Sequence, residues 1–359
     1  MKKKKVLRII LVVFAISIIG AGGFFGYKTF FGKTKGKTSD PVKGEEEPVI
    51  VKKIQIFDED SKDRDVAVMI NNNHAAWPHA GLQDSYLNYE IIVEGGITRI
   101  MAVFSGLDKV PEKVGSVRSA RPYFLQYACE NDAIYIHWGT SNRASYQMSE
   151  FMMDHLDGSY DGNYFYREAL YDRAYEHTGF TRGSLIRQGV ADNNFRTTSD
   201  NGSVFKYSAD EIDLKDIEGA VKADYVGIEY SNYQTTKYDY DAENKVYKRS
   251  MTTGYGDTEA HTDAVTGNQY TTKNIITYKV ENHSYDSYGR QELSNIGSGE
   301  GYFITNGYAI PITWEKSDRL VKTIYKYKHN GEEIKLNDGN TWVQIQPINM
   351  DLVITGDSL

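Results

Sequence analysis

The sequence predicts an α+β protein, with a mixed α/β N-terminal domain followed by a smaller, antiparallel β-rich C-terminal domain. Three observations carry that prediction. In the first half, apolar runs of strand length alternate with stretches of helical periodicity. From about Ser203 the pattern changes to short alternating runs separated by turn residues. Tyrosine is heavily used, 28 residues against 14 Phe and 4 Trp, which suits strands with one wet face. A chain of 359 residues accommodates two cores, since domains commonly run to about 100–200 residues.

Taken in order, residues 1–8 are a basic tail, and Ile9 to Phe25 carry no charge. Extended to Phe31, the apolar stretch approaches the roughly 20 residues that a membrane-spanning helix needs. Residues 9–31 are therefore read as a transmembrane signal anchor. Carrying four lysines and the amino terminus across a bilayer is the harder route, which places the C-terminal part outside the cell on a single-pass cell-membrane protein. The rival is a cleavable signal peptide ending near Gly20-Ala21-Gly22-Gly23. Residues 32–53, rich in Lys, Gly, Thr, Pro and Glu, read as a disordered tether.

The α/β domain is expected over 54–202. Its first buried strand, Asp65 to Ile70, exits through Asn71-Asn72-Asn73-His74, and Asn-rich exits favour turns. A short helix is predicted at Leu82–Tyr89, then a hairpin formed by Tyr89–Val93, the turn Glu94-Gly95-Gly96 and the strand Thr98–Phe104. Pro122 suits the first turn of a helix from about Arg121 to Asn131, with Ser119 as its N-cap. Ala133–Trp138 reads as a strand. Ser145–Leu156 reads as a helix with Met148, Phe151 and Met152 on one stripe, and Thr181–Gln188 as another helix. Arg167 to Thr181 has no clear assignment.

The β-rich domain is expected over 203–359, with strands including Tyr225–Tyr230, Thr235–Asp241, Lys245–Ser250, Asn274–Glu281, Tyr308–Trp314 and Trp342–Ile345. Asp241-Ala242-Glu243-Asn244 is predicted as a hairpin turn. Its carboxylates resemble a calcium loop, but the required Gly is Asn244 and no Glu closes the loop.

Charge and motifs exclude several functions. Residues 1–40 hold nine Lys/Arg and one Asp, which leaves 32 Lys/Arg against 48 Asp/Glu beyond them, a charge of −16. Like-charge repulsion then weighs against nucleic-acid or teichoic-acid binding. With one cysteine, Cys129, in an apolar run, no internal disulfide forms and an inert thiol is expected. There is no HExxH, GxxxxGK or CxxC, and no cofactor or metal is expected. Ser203-Val-Phe-Lys206 and Ser199-Asp200-Asn201 imitate penicillin-binding motifs in the wrong order and spacing, without a KTG.

The polar chemistry concentrates between Glu94 and Pro122. Glu94, Arg99, Arg118 and Arg121 lie among glycines and strand ends, and Arg118 and Arg121 are three residues apart at a predicted helix start. Guanidinium groups bind carboxylate or phosphate in bidentate fashion, and a helix start favours an anion. The bland alternative is that these arginines pair with Glu94, Glu90 or Asp132 and fix the fold. His74 and His137 each follow a strand and could each serve as a general base or a metal ligand, the bland alternative being a histidine hydrogen-bonded to a loop carbonyl.

Val66-Ala-Val-Met-Ile-Asn-Asn72, Glu94-Gly-Gly-Ile-Thr-Arg99, Val114-Gly-Ser-Val-Arg-Ser-Ala-Arg-Pro122, Ala133-Ile-Tyr-Ile-His137, Tyr238-Asp-Tyr-Asp241, Asp286-Ser-Tyr-Gly-Arg290 and Asn340-Thr-Trp-Val-Gln344 resemble the signature runs of YerB-type bacterial lipoproteins. The resemblance spans roughly Ile54 to the C-terminus. It implies an α/β domain followed by a smaller β-rich domain on the outer face of a mostly Gram-positive membrane. The family typically carries a lipobox cysteine, which this chain lacks near its N-terminus. Family-like positions are Asn71, Glu94, Arg99, Ser116, Arg118, Ser119 and Arg121; with His137 they make up the expected ligand-binding set.

The resulting expectation is a membrane-anchored envelope protein that holds a small anionic or cell-wall-derived ligand, or an acidic partner segment, in an Arg-lined pocket without catalysis. An envelope hydrolase using Glu94 as general acid/base and a scaffold for cell-wall synthesis proteins are the alternatives. The sequence leaves the oligomeric state open.

Overall fold

A computed structural model of the chain describes residues 53–169, 173–254 and 256–356. The strand Val66–Asn71 is buried along its whole length, and its two faces explain why. Successive side chains point to opposite sides of a sheet. Val66, Val68 and Ile70 enter one core, while Ala67 and Met69 enter another. The second of these cores is closed by the helix Pro122–Glu130, through Phe124, Leu125, Tyr127 and Ala128. The first is closed by a separate sheet that contributes Val226, Ile228, Tyr230, Tyr238 and Tyr247. A sheet covered on both faces is built from continuous apolar runs, as this strand is.

That central sheet is mixed and draws on both halves of the chain. Thr98–Phe104 pairs antiparallel with Val66–Asn71 on one side and with Leu87–Ile92 on the other. Beyond Val66–Asn71, Ile134–His137 and then His155–Asp157 add in parallel. Beyond Leu87–Ile92, the parallel strands Thr341–Pro347 and Asn274–Val280 follow, and then the antiparallel strands Gly297–Thr305 and Tyr308–Lys316. The segments 54–202 and 203–359 thus meet at the Leu87–Ile92 and Thr341–Pro347 pair, within one hydrogen-bonded sheet. The second sheet, Thr258–Ala260, Val246–Thr253, Gln234–Asp241, Tyr225–Glu229 and Leu352–Thr355, is antiparallel throughout. The α+β class holds in its coarse form, as a strand-rich protein with three α-helices among the described residues. The later segment departs from expectation, because its parallel strands belong to the sheet it shares with the earlier one.

Several local expectations stand. The hairpin around Glu94–Gly96 forms as read, and the turn after Asp241 joins two paired strands, with Asp241 Oδ1 accepting from the amides of Glu243 and Asn244. Others are corrected. Leu82–Asp84 is a single 3-10 turn, because Leu87–Ile92 is held in the sheet from both sides. The helix sought at Ser145–Leu156 is Asn142–Glu150, started by Ser141, whose side chain accepts from Ala144 N at 3.3 Å. Met152 lies past its end and is exposed. The last helix is Gly183–Asp192. Many tyrosines lie between layers with the hydroxyl bonded: Tyr230 Oη donates to Gln344 Oε1 at 2.8 Å, and Tyr247 Oη to the Ala223 carbonyl at 3.0 Å.

Two ion pairs, both fully buried, tie the segments together. Glu90 Oε2 meets Arg249 Nη2 at 2.9 Å, and Glu130 Oε2 meets Lys316 Nζ at 2.7 Å. Glu90 Oε1 also accepts from Thr98 Oγ1 at 2.7 Å, Thr236 Oγ1 at 2.9 Å and Asn72 Nδ2 at 3.0 Å. Glu130 accepts from Tyr89 Oη and from the amide and hydroxyl of Thr323. Such pairs persist in a dry interior only when the remaining lone pairs are also satisfied.

Among the described residues no helix is long and apolar enough to cross a membrane. The basic tail, the anchor at 9–31 and nearly all of the tether lie outside the described residues.

Replacing Glu90 with Ala leaves the Arg249 charge buried without its partner, and is expected to cost about 3–5 kcal/mol of stability. Urea unfolding of the full chain measures it; a cost under about 1 kcal/mol would refute this account of the pair.

Candidate functional site

The predicted residues converge where Val66–Asn71 ends. Because Thr98–Phe104 runs antiparallel to that strand, Arg99 stands directly opposite Asn71. The reversal before it places Glu94 on the same rim. Gly95 and Gly96 both take left-handed backbone angles, φ 72° and 73°, and a Cβ on Gly96 would come within 2.9 Å of Ser231 Oγ. The chain from Gly115 then crosses the strand end: Asn71 N donates to the Ser116 carbonyl and Arg118 N to the Met69 carbonyl, each at 2.9 Å. Arg121 follows as the residue preceding the helix Pro122–Glu130, with Pro122 at its first position as expected.

These residues surround a cleft of about 300 Å³. Asn71, Glu94, Arg99, Arg118 and Arg121 line it, joined by Asn73 and Ile97, and by His177, Tyr288 and Arg290 from elsewhere in the chain. Four arginines face one glutamate among the lining residues. Glu94 holds two of them: Oε1 accepts from Arg121 Nε, and Oε2 from Arg99 Nη2 at 3.4 Å. Arg99 Nη1 also donates to the Ser119 carbonyl, and Arg121 Nη1 to the Ala120 carbonyl, both at 2.7 Å. Burial alone would raise the Glu94 pKa, but the Arg121 hydrogen bond and the two positive charges outweigh it, so the carboxyl is held below its ordinary range. Burial, with the Arg121 charge beside it, pulls Arg99 down to about 9, which leaves it charged at neutral pH. Arg290 is held by Asp286 at 2.9 Å, in a turn closed by Asp286 Oδ1. Among the described residues Arg118 has one ion-pair partner, Glu176, at 3.6 Å.

The remaining predicted residues lie outside the cleft lining. Ser116 is fully buried beneath it. Ser119 does not cap the helix; its hydroxyl donates to the Trp138 carbonyl at 3.0 Å, and the helix begins without a side-chain cap. His137 is buried, with Nδ1 at 2.9 Å from the Gly139 carbonyl and Nε2 at 3.1 Å from His155 Nδ1. Its strand ends beside His155–Asp157, which takes up the ring. His74 pairs with Glu259 at 3.0 Å. Neither Glu90 nor Asp132 holds a cleft arginine, since Asp132 is engaged by Arg64 and Arg196. Cys129 is half-buried, and burial pushes its thiol up to about 12, away from the thiolate form.

Sequence reasoning missed His177, Tyr288 and Arg290. His177 sits in the unassigned stretch before Thr181, and its Nδ1 meets Asn71 Nδ2 at 2.8 Å. Tyr288 and Arg290 belong to the Asp286–Arg290 run, recognisable as a motif but with no local sign of where it folds. A larger groove, about 720 Å³, lies between Asp84, Lys113 and Asp263. Its buried carboxylate is already saturated: Asp263 Oδ1 accepts from the amides of Val265 and Thr266, and Oδ2 from Gly81 N and Tyr270 Oη. The cleft with an under-used guanidinium is the better candidate.

Behind the cleft, Arg249 Nη1 contacts His261 Nδ1, and His261 Nε2 lies 2.8 Å from His79 Nδ1. A guanidinium only donates, so His261 Nδ1 accepts and its Nε2 carries the proton. Burial and the Arg249 charge bring His79 down to about 3 and His261 well below its ordinary value; burial likewise lowers His137.

Two models of the family described as protein of unknown function DUF3048 match the chain, the N-terminal domain over residues 54–196 and the C-terminal domain over 226–343. YerB of Bacillus subtilis, named a candidate lipoprotein, is 28% identical over 289 residues, covering 79% of this chain and 81% of that protein. The crystal structure of YerB from Bacillus subtilis superposes with a TM-score of 0.68 at 26% identity, covering 81% of this chain and 94% of the other. The resemblance to YerB-type proteins is therefore borne out.

The buried histidines set a pH dependence. Each is neutral when folded, but takes up a proton near its ordinary 6.5 when unfolded, so the unfolded state binds more protons below that pH and stability falls on acidification. Asp65, raised to about 7 by burial, works in the opposite sense, so the test reads a difference between variants. From pH 7 to pH 5 the urea midpoint of His137→Gln should rise relative to that of the wild type, because the variant lacks the proton that His137 takes up on unfolding. An equal change in both would contradict a neutral, buried His137.

Proposed function

The chain belongs to the DUF3048 family in both of its domains, and from that premise we propose that it is a membrane-tethered envelope protein whose arginine-lined cleft binds a small anionic ligand derived from the cell wall. The observation that carries this reading is Arg118. Its guanidinium, with a side chain 29% exposed, lines the cleft, and its one ion-pair partner among the described residues lies beyond hydrogen-bond distance. The neighbouring arginines are already fixed by Glu94, which orients them without removing the local positive charge. An acidic body of −16 outside the first 40 residues disfavours a polyanion, and a local arginine cluster still suits a small anion.

The hydrolase alternative is weaker. A general acid must be protonated near neutral pH, whereas Glu94 is held ionised by two arginines. Glycoside chemistry also calls for a second carboxylate roughly 5–9.5 Å away, and Glu94 is the single carboxylate among the described residues lining the cleft. The relative's name as a lipoprotein supports an envelope location. In this chain the apolar residues 9–31 would serve as a single-pass anchor in place of the lipid.

Full chain in detergent should be retained on purified Gram-positive peptidoglycan without releasing soluble fragments. Arg118→Ala should weaken retention about tenfold or more, as loss of a charge-assisted bond implies, while its melting temperature stays within a few degrees. Retention unaffected by the substitution, or release of fragments by the wild type, would overturn the reading. In cells, deletion of residues 9–31 should move the protein from the membrane to the soluble fraction; continued membrane pelleting would rule out the anchor.

A further inference from the structure

The four arginines of the cleft are not equivalent. Arg99 and Arg121 donate to Glu94, and Arg290 donates to Asp286. Arg118 makes no side-chain hydrogen bond among the described residues, only the 3.6 Å approach of Glu176. A guanidinium offers five N–H donors in a planar fork, and at that distance none of them is given to a protein side chain among the described residues, which leaves the fork open to a ligand. Glu176 is itself weakly held. It sits on the single 3-10 turn Tyr175–His177, its side chain is 56% exposed, and its other charge neighbour, His177 Nε2, lies at 4.0 Å. His177, by contrast, is fixed to Asn71 at 2.8 Å. A largely exposed carboxylate thus stands beside a cleft arginine that makes no side-chain hydrogen bond among the described residues.

We infer that Glu176 is a tethered stand-in for the ligand, and that the ligand presents a free carboxylate, of the kind that ends a peptide, which displaces Glu176 from Arg118. This rests on the anion-binding reading and names the anion. Carboxylate for carboxylate keeps the charge of the cleft unchanged, with Glu94 and Asp286 still compensating their own arginines. A volume of about 300 Å³ exceeds what a bare anion fills, and Ile97 and the exposed Tyr288 ring offer contact for the body of a short peptide. The acidic surroundings resist the repeated phosphates of a polyanion and admit a singly charged terminus.

Calorimetric titration of the full chain with acetyl-alanyl-alanine, its C-terminal amide and inorganic phosphate tests the inference. Relative to wild type, Glu176→Gln should bind the free-acid dipeptide about tenfold more tightly, within the usual range for the coupling of competing interactions. Arg118→Ala should lose binding, and the amide and phosphate should not bind either form. Equal affinity of wild type and Glu176→Gln would overturn the stand-in role. Phosphate or the amide binding as well as the acid would overturn the carboxylate, as would no binding of the acid to any form. Retention on peptidoglycan is read separately, so a failure here with retention intact leaves the broader reading standing, and a joint failure removes both. Glu176 is exposed, so an unchanged melting temperature in Glu176→Gln confirms that the titration reports binding.

Discussion

The Glu90 carboxylate, enclosed between two sheets, is the constraint on which the rest of the molecule depends. A carboxylate taken out of water is tolerated only with its charge compensated and its lone pairs filled. Here the compensation comes from Arg249 in the second sheet, and the filling from Asn72, Thr98 and Thr236. Those donors come from both segments of the chain, so the charge can be satisfied only when the central sheet and the covering sheet are assembled together. Glu130 and Lys316 repeat the arrangement at the other face, where the helix meets a late strand. The apolar cores supply most of the drive for burial; these pairs specify which surfaces meet.

The cleft is a consequence of the same register. Thr98 turns inward to Glu90, so the pleat turns its neighbour Arg99 the other way, opposite Asn71. Crossing of the strand end by Gly115–Arg118 then delivers Arg118 and Arg121 to the rim. Glu94 holds Arg99 and Arg121 close together despite their mutual repulsion, which fixes geometry before any ligand arrives. Preorganised charge of this kind lowers the cost of binding because the partners need not be ordered anew.

Much of this was legible in the chain. The strand Thr98–Phe104, the turn Glu94–Gly96 and the start of the helix at Pro122 follow from period, glycine conformation and the missing proline N–H, all local properties. The clustering of Asn71, Glu94, Arg99, Arg118 and Arg121 follows too, because each sits at an element end on a short stretch of chain. Tyrosine content misled in part: its amphipathic ring suits a wet face, but Tyr230, Tyr238 and Tyr247 lie in the layer between sheets, where buried acceptors meet the hydroxyl or, for Tyr238, a donor amide reaches it. Composition reports the residue and not the layer in which it ends.

By itself, then, the sequence determined the local elements, the position of the arginine cluster and its acidic setting, since periodicity, turn chemistry and charge are read from neighbours. The tertiary structure decided which cleft arginine makes no side-chain hydrogen bond among the described residues, that His137 turns away to His155, and that His177, Tyr288 and Arg290 complete the cleft. It also decided that two stretches with different strand patterns share one sheet. Each of these depends on a partner far away in the chain, chosen by burial and compensation of charge, and no local pattern encodes the identity of that partner.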